Sequence, residues 1–401
     1  MNRSGRLGRL GRSIVLLSGR RTAFGTLNGS LKTFTATDLG VLSSKAAIAD
    51  ARIDPSMIEQ IIFGNVQQTS SDAIYLARHI GLRCGAPIAA TALTVNRLCG
   101  SGFESVVQAA EQILLGESEC ILAGGAESMT QTPHVVRGLR DGLGYGKSPV
   151  LEDLMSGALV DAFCKLPMAI TAENLAEKYE ITRRDCDAYA LESQQRWASA
   201  HERAVFVREI VATEIASKKG SFATDEHVRP QSSMEGLAKL NAIFKKDGTV
   251  TAGNASGICD GAAALVVASE DFAKAHGLTP LARIVSWGVA GVEPSLMGIG
   301  PVPAIQKALA RAGLALAELD RVEVNEAFAP QVLAVAKELG INRAFLNTNG
   351  GAIALGHPLA ASGARILAHL AHAIGIGECK RAIGSACIGG GQGIAVVLEA
   401  V

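Results

Sequence analysis

Three side chains in this sequence have the type and setting for nucleophilic and acid–base chemistry: Cys99, His357 and Cys387. Cys99 sits in Asn96-Arg97-Leu98-Cys99-Gly100-Ser101-Gly102, between a short strand and a segment whose Phe103, Val106, Val107, Ala110, Ile113 and Leu114 keep helical spacing. That spacing places the thiol at or near a helix N-terminus. Positive backbone potential there favours the thiolate, which at an ordinary pKa of about 8.5 is only a few per cent of the population near pH 7. His357 lies in Gly350-Gly351-Ala352-Ile353-Ala354-Leu355-Gly356-His357-Pro358-Leu359-Ala360-Ala361-Ser362-Gly363, where small residues leave room for another backbone or a ligand. Cys387 stands in Ser385-Ala386-Cys387-Ile388-Gly389-Gly390-Gly391-Gln392-Gly393, after one expected strand and before a closing strand at Ile394-Ala395-Val396-Val397-Leu398. Such a glycine run costs conformational entropy that core packing does not explain, so backbone N–H groups offered to an oxyanion are its functional reading. Each feature has a plain structural alternative: a buried small hydrophobe, a satisfied histidine and a hairpin loop.

The elements that must position these residues show an internal echo. Ser13 to Ser18 reads as a buried strand ended by Gly19-Arg20-Arg21, Thr37 to Ala51 as a helix, Ile58 to Val66 as a strand, and Thr91 to Val95 as a strand leading to Cys99. The strand ending in Asn65 is matched by Leu319-Asp320-Arg321-Val322-Glu323-Val324-Asn325. Asn65 precedes Cys99 by 34 positions and Asn325 precedes His357 by 32. Each special residue is soon followed by Ser-Gly, and Ser101-Gly102 and Ser362-Gly363 are expected to begin helices. Strands at Cys120-Ile121-Leu122-Ala123 and Arg381-Ala382-Ile383-Gly384 then follow. A unit of well over 100 residues is a duplicated domain rather than a solenoid repeat. His357 therefore occupies in the second half the place of Cys99 in the first, and one shared site is expected. Ser128 to Asn254 lacks the pattern and reads as an insertion. The expected division is 1–127 and 255–277 for the first half, 128–254 for the insertion, and 278–401 for the second half.

The composition agrees with an α/β fold and excludes several functions. The chain has 401 residues, 48% hydrophobic and 19% charged, with 38 Lys+Arg against 38 Asp+Glu. That is enough for two or three domains, and it carries no basic excess for nucleic acid. Aromatics are only 4% while Gly numbers 44, which suits close packing of helices on sheets. The eight cysteines form no C-x-x-C, so neither a zinc ribbon nor a dithiol motif can be drawn, and free thiols in a reducing compartment are expected. No apolar run reaches about 18 residues, so no membrane span is expected. The first 37 residues hold six Arg, one Lys and no acid. Arg3, Arg6, Arg9 and Arg12 resemble a short transit peptide, the alternative being a solvated tail. Asp141-Gly142-Leu143-Gly144-Tyr145-Gly146-Lys147-Ser148 ends like a phosphate loop but lacks its first Gly, and no G-x-G-x-x-G follows a strand.

With Asn254-Ala255-Ser256-Gly257, Val324-Asn325-Glu326-Ala327-Phe328-Ala329 and Thr171-Ala172-Glu173-Asn174 added to the three blocks above, the sequence resembles the thiolases from Ser13 to its C-terminus. Within them it is most similar to the mitochondrial-type 3-ketoacyl-CoA enzymes of fatty-acid β-oxidation. The resemblance implies a thiolase fold, two similar βαβαβαββ halves in a layered αβαβα core with an inserted loop domain, assembled as a homodimer or homotetramer. It implies Cys99 as acyl-carrying nucleophile, His357 as its activator, Cys387 as acid/base, and Asn325 holding a water in one oxyanion hole. The N–H groups of Cys99 and Gly389 would form a second hole. Coenzyme A is implied as co-substrate, with Arg229 and Ser232 at its nucleotide end and Ser256 near the pantetheine, and no metal or organic cofactor. The location implied is the mitochondrial matrix or a bacterial cytoplasm, not secretion. Competing readings are an acetoacetyl-CoA thiolase condensing two acetyl-CoA, a ketoacyl synthase, which Cys387 opposes, and a non-catalytic acyl-CoA-binding protein. Leu166-Pro167-Met168-Ala169-Ile170-Thr171 and Met297-Gly298-Ile299-Gly300-Pro301-Val302-Pro303 favour the β-oxidation type. Two departures from the family pattern, Ala360 and Cys259, are expected to touch no catalytic position.

Overall fold

Runs such as Ile121-Leu122-Ala123 and Ala262-Ala263-Ala264-Leu265-Val266-Val267 put apolar side chains on both faces of a strand, so they demand cover on both sides. The computed structural model, which describes residues 12–215 and 220–401, supplies that cover. The strands are β1 (Ile14–Thr22), β2 (Gln60–Gly64), β3 (Thr91–Val95), β4 (Cys120–Ser128), β5 (Cys259–Ser269), β6 (Ala282–Gly291), β7 (Arg321–Val324), β8 (Arg381–Ile388) and β9 (Gln392–Glu399). They follow the order β7-β8-β9-β6-β1-β5-β4-β2-β3 in one mixed sheet. The main helices are α1 (Ala36–Ala51), α2 (Leu76–Arg83), α3 (Ser101–Leu115), α4 (Met168–Lys178), α5 (Arg183–Glu202), α6 (Pro301–Ala312), α7 (Ala329–Leu339) and α8 (Leu359–Gly375).

The duplication is visible in the pairing. In the first half β2 is parallel to β4, β4 antiparallel to β5, and β5 antiparallel to β1. In the second, β7 is parallel to β8, β8 antiparallel to β9, and β9 antiparallel to β6. Edge strand β3 lies parallel to β2, and its counterpart shrinks to a single parallel bridge between Val322 and Leu346. The halves join through Ile14–Leu16 of β1 against Ala282–Ile284 of β6. Three apolar clusters give the layers. One packs α1 and α2 on the outer face of the first half, one packs α6 and α7 on that of the second, and the largest holds α3 and α8 between the inner faces. The result is α-β-α-β-α.

The two central helices touch through backbone. A Cβ on Gly102 would lie 2.5 Å from the Ala360 oxygen and the Ala364 nitrogen, and one on Gly363 would lie 2.4 Å from the Phe103 nitrogen. No side chain fits at either place, which explains the paired Ser-Gly signals. The chain leaves the sheet at the end of β4, builds α4, α5 and several short hairpins, and returns at β5. The matching place in the second half is the tight turn Gly389-Gly390-Gly391 between β8 and β9.

Several local expectations shift. Strand β1 does not stop at Gly19 but runs to Thr22, because the inserted segment brings Asp225 and Glu209 to bury Arg21. Strand β2 covers Gln60–Gly64 rather than Ile58 to Val66, since Pro55–Met57 forms a single turn just before it. Helix α8 begins at Leu359, directly after Pro358, which puts Ser362 inside its first turn rather than at its start. Cys387 lies within β8, paired opposite Gly393, and not in the loop beyond. The Arg3, Arg6 and Arg9 repeat falls outside the described residues; Arg12 pairs with Glu119 at 2.6 Å. All eight cysteines are free.

Candidate active site

Cys99 is presented by a single turn, Leu98–Gly100, wedged between β3 and α3. Leu98 has φ +48°, an uncommon conformation for a branched residue and a mark of local strain. Side chains hold the turn: Asn96 Oδ1 accepts from Leu98 N at 3.0 Å, and Ser101 Oγ accepts from Arg97 N at 2.9 Å while donating to Leu98 O at 2.6 Å. Arg97 ties the turn to Glu104 at 2.8 Å and to Gln392 at 3.2 Å. The backbone N–H groups of Gly389 and of Cys99 itself both face the Cys99 sulfur. Cys99 keeps part of its surface open, yet protein packs round the sulfur, and this desolvation pushes the thiol up to about 11. The expected gain from the helix N-terminus is therefore outweighed by burial. At rest Cys99 is a thiol.

His357 stands at the matching place before α8, buried. Its N–H donates to Gly257 O at 2.9 Å, which seats the Asn254–Gly257 segment against it. Its Nδ1 lies 2.5 Å from Ser362 Oγ, and that hydroxyl already donates to Pro358 O at 2.9 Å. A hydroxyl has one proton to give, so Nδ1 must carry the hydrogen and Nε2 the lone pair. Asn325 Nδ2 faces that Nε2 at 3.4 Å, and Asn325 Oδ1 has no protein partner. Burial, then the charge of Arg365, holds the imidazole down at about 4, so it is neutral at pH 7. Among the described residues no hydrogen bond joins His357 to Cys99 or to Cys387.

Cys387 is wholly buried in a small apolar cluster with Met297 and Ala327, edged by Met168 and Phe328. Desolvation, then the nearby Cys99, pushes its thiol far up, so it too holds its proton. Met168 also reaches the Gly389 turn: a Cβ on Gly389 would lie 3.5 Å from Met168 Sδ. Both loop segments that distinguished the subgroups, around Met168 and Met297, thus border Cys387.

Residues the sequence reading left unassigned complete the surroundings. Since Gly64 pairs with Gly125 and Val324 with Ser385, Glu127 holds in the first half the register position of Cys387 in the second. Its buried carboxylate accepts from Asn65 Nδ2 (3.2 Å), Val66 N (3.2 Å), Gln67 N (3.0 Å) and Ala360 N (3.1 Å). Desolvation nevertheless pushes it up to about 7. Glu326 accepts from Tyr189 (2.8 Å), Ser193 (2.7 Å), Asn347 (3.0 Å) and Ile353 N (3.1 Å), fixing α5 to the loop that leads to His357. The register comparison and the Asn325-Glu326 motif were the available signals. Cys259 is none of the expected catalytic residues, yet its sulfur lies against Gly356 and the His357 N–H, in contact with the turn of the histidine.

A groove of about 650 Å³ lies beside this cluster, lined by His227, Arg229, Ser232, Leu237, Gly253 and Ile353 among others. It contains Arg229 and Ser232 but neither Cys99, His357 nor Ser256. The Arg229 guanidinium folds over the carbonyls of Glu226, His227 and Val228 at 2.8–3.2 Å. The Ser256 N–H is bonded to Ala327 O at 3.0 Å. The stretch from Gly253 to Gly257 therefore runs from the groove to His357. Among the described residues no group of three or more His, Cys, Asp or Glu could hold a metal ion.

Residues 14–271 match the family described as "Thiolase, N-terminal domain" and residues 278–400 match "Thiolase, C-terminal domain". The chain is 54% identical over 390 residues to the human protein named "3-ketoacyl-CoA thiolase, mitochondrial", covering 97% of this chain and 98% of that one. It is 47% identical over 391 residues to the Escherichia coli protein named "Acetyl-CoA acetyltransferase", covering 97% and 99%. The crystal structure of human mitochondrial 3-ketoacyl-CoA thiolase in complex with CoA superposes with TM-score 0.96 at 53% identity, covering 99% of each chain.

Proposed function

This chain belongs to the thiolase family, and from that premise we propose that it cleaves 3-ketoacyl-CoA with CoA, giving acetyl-CoA and an acyl-CoA two carbons shorter. The observation that carries the reading is Cys99, faced by two backbone N–H groups and near the buried Cys387 thiol, with a neutral His357–Asn325 pair just before α8, the helix that crosses α3. The greater identity to 3-ketoacyl-CoA thiolases than to acetyl-CoA acetyltransferases agrees with it.

The resting pair is thiol and imidazole, so proton transfer accompanies attack. As Cys99 Sγ approaches C3, its proton passes to His357 Nε2, and the new C3 oxyanion is met by backbone N–H donors of the site. Collapse breaks the C2–C3 bond, and its electron pair moves onto C2 as the enolate of acetyl-CoA. The new Nε2–H and an Asn325-held water stabilise the enolate oxygen. Cys387 then gives its proton to C2, and acetyl-CoA leaves. The Cys387 thiolate takes the proton of an incoming CoA thiol, whose sulfur attacks the acyl group on Cys99. The N–H groups of Cys99 and Gly389 hold that second oxyanion, and Cys99 departs with the proton stored on His357. CoA is a substrate throughout, and this sequence asks for no other cofactor.

The 128–254 insertion supplies the groove, with Arg229 and Ser232 toward the nucleotide of CoA and Ser256 beside the pantetheine near Cys99. A guanidinium suits phosphate. The apolar Met168, Met297 and Phe328 border Cys387 and suit an alkyl chain longer than acetyl. Homo-oligomerisation is part of the proposal: edge strand β3 leaves Leu93 exposed, with Ile74, Tyr75 and Ile88 exposed as well. Its mitochondrial and bacterial relatives support a mitochondrial matrix or bacterial cytoplasmic setting. No helix of the described residues is long and apolar enough to cross a membrane.

The test is thiolysis of 3-ketooctanoyl-CoA and acetoacetyl-CoA, side by side, by wild type and Cys99→Ala. Wild-type cleavage of both, lost in the variant, is the expected result. Reaction with acetoacetyl-CoA alone would make this an acetoacetyl-CoA thiolase. Reaction with neither would leave an acyl-CoA-binding protein.

A further inference from the structure

The groove wall at His227–Ser233 begins directly after two consecutive acids whose carboxylates both point away from it, into residues 21–30. Asp225, buried, takes two bonds from the Arg21 guanidinium (2.6 and 3.0 Å) and one from Phe24 N (2.9 Å). Arg21 is itself fully buried, stacked over Phe24 at 5.2 Å and Phe206 at 5.7 Å. Glu226 Oε2 accepts from Thr26 N (3.0 Å), Thr26 Oγ1 (3.1 Å) and Ser30 N (3.0 Å), and Oε1 accepts from Ser30 Oγ (2.6 Å). The Glu226 N–H adds a bond to Phe24 O at 2.8 Å. The turn closes this tightly only because residue 29 is glycine: a Cβ there would lie 2.2 Å from Glu226 Oε2. Neither acid lines the groove.

We propose that Asp225 and Glu226 form a clamp that sets the position of the groove wall carrying His227, Arg229 and Ser232, and hence the affinity for CoA; this deepens the thiolase reading and rests on it. They are positioning residues. The wall is irregular chain tied to α5 by Arg229 N donating to Gln194 Oε1 at 2.7 Å, and its guanidinium leans on the carbonyls of Glu226, His227 and Val228. Releasing Glu226 lets those carbonyls and the guanidinium move together. Cys99 and Cys387 are held by other elements, and His357 by Ser362 and Gly257, with His227 reaching the histidine's turn only through Gly257 and Gly356, so the larger effect of the clamp falls on CoA binding.

The experiment titrates CoA calorimetrically into wild type, Glu226→Ala, Glu226→Gln and Gly29→Ala, and measures thiolysis of acetoacetyl-CoA at varied CoA. Glu226→Ala is expected to weaken CoA binding and raise KM for CoA about tenfold, with kcat at saturating CoA within about twofold of wild type. Glu226→Gln should recover most of the affinity, since its amide oxygen still serves three donors and the Ser30 hydroxyl can turn to accept. Gly29→Ala keeps both acids but displaces the carboxylate, and should reproduce the loss; it decides alone if Glu226→Ala does not fold. Unchanged CoA affinity, or a fall in kcat with KM unmoved, overturns the clamp. Wild type failing to bind CoA would overturn the thiolase reading itself and the clamp with it, whereas wild-type binding with unaffected variants overturns only the clamp.

Discussion

A buried thiol and a buried imidazole are each held in their neutral form, so neither residue is reactive merely by type. The proposed pairing of Cys99 with His357 rests on geometry: N–H groups aimed at the sulfur, and a tautomer that leaves Nε2 unprotonated. Ser362 enforces that tautomer, and Ser362→Ala should lower kcat about 10–100-fold with little change in KM, while Ser362→Thr should recover much of it. An unchanged kcat in the alanine variant would remove Ser362 from its role. Because burial pushes the Cys99 thiol up to about 11, its thiolate fraction rises about tenfold per pH unit across pH 7–9. Alkylation of Cys99 by iodoacetamide should climb over that whole range, and a plateau near pH 7 would contradict the buried-thiol picture. Cys387→Ala should still accept an acyl group slowly, yet fail to exchange deuterium into acetyl-CoA; unchanged exchange would free Cys387 from the proton-transfer step. The candidates Cys99, His357 and Cys387 stood out in the sequence because reactive types stood among small residues. Ser362 was legible only as a helix signal, since its bond to the histidine appears once the turn before α8 is folded.

At the scale of elements, the duplication was legible because each half repeats strand, Asn, reactive residue, Ser-Gly and helix at nearly fixed spacing. The ends of elements were less so, for reasons outside their own sequence. Arg21 continues β1 only because acids from the inserted segment neutralise it, and Ser362 sits inside α8 because Pro358 sets the start of the helix. Cys387 closes a strand whose glycine-rich sequel looked like the functional part, and in the fold both matter, one carrying the thiol and the other turning the Gly389 N–H toward Cys99. The element most exposed to a single substitution is the crossing of α3 and α8. A methyl at Gly363 would collide with the backbone of Phe103, which cannot yield without moving the turn that presents Cys99. Gly363→Ala is expected to cost about 1–3 kcal/mol in urea unfolding and to lower activity with both thioester substrates. Retention of full stability would show that the helices are not in backbone contact there.

For the molecule as a whole, the site contributes to how stability follows pH, and its buried groups pull in opposite directions. His357 and His227 are each held down at about 4 by burial, then by Arg365 and Arg229 respectively. Their unfolded pKa is near 6.5, so between pH 6.5 and 4 the unfolded chain binds protons that the folded one refuses, and acidification destabilises the fold. Glu127 is pushed up to about 7 by burial, against its N–H bonds and with help from Asp260. Between pH 4.5 and 7 the folded state keeps a proton there that the unfolded chain has lost, so acidification through that window stabilises the fold. One proton on Glu127 thus offsets part of the loss from two histidines, each worth about 1.36 kcal/mol per pH unit where fully in play. Glu127→Gln removes that share of the offset and leaves the histidines, with the raised Glu326 and Asp260 unchanged. Its unfolding free energy should therefore fall more steeply than that of wild type as the pH is lowered from 7 to 4.5, by about 1 kcal/mol per unit, whatever the amide costs at neutral pH. Parallel curves for the two proteins, measured by urea unfolding at half-unit intervals, would mean that Glu127 is ionised in the fold at pH 5. The four donors around its carboxylate would then outweigh its burial, and the counterpart of Cys387 would stand as a fixed negative charge beside Cys99.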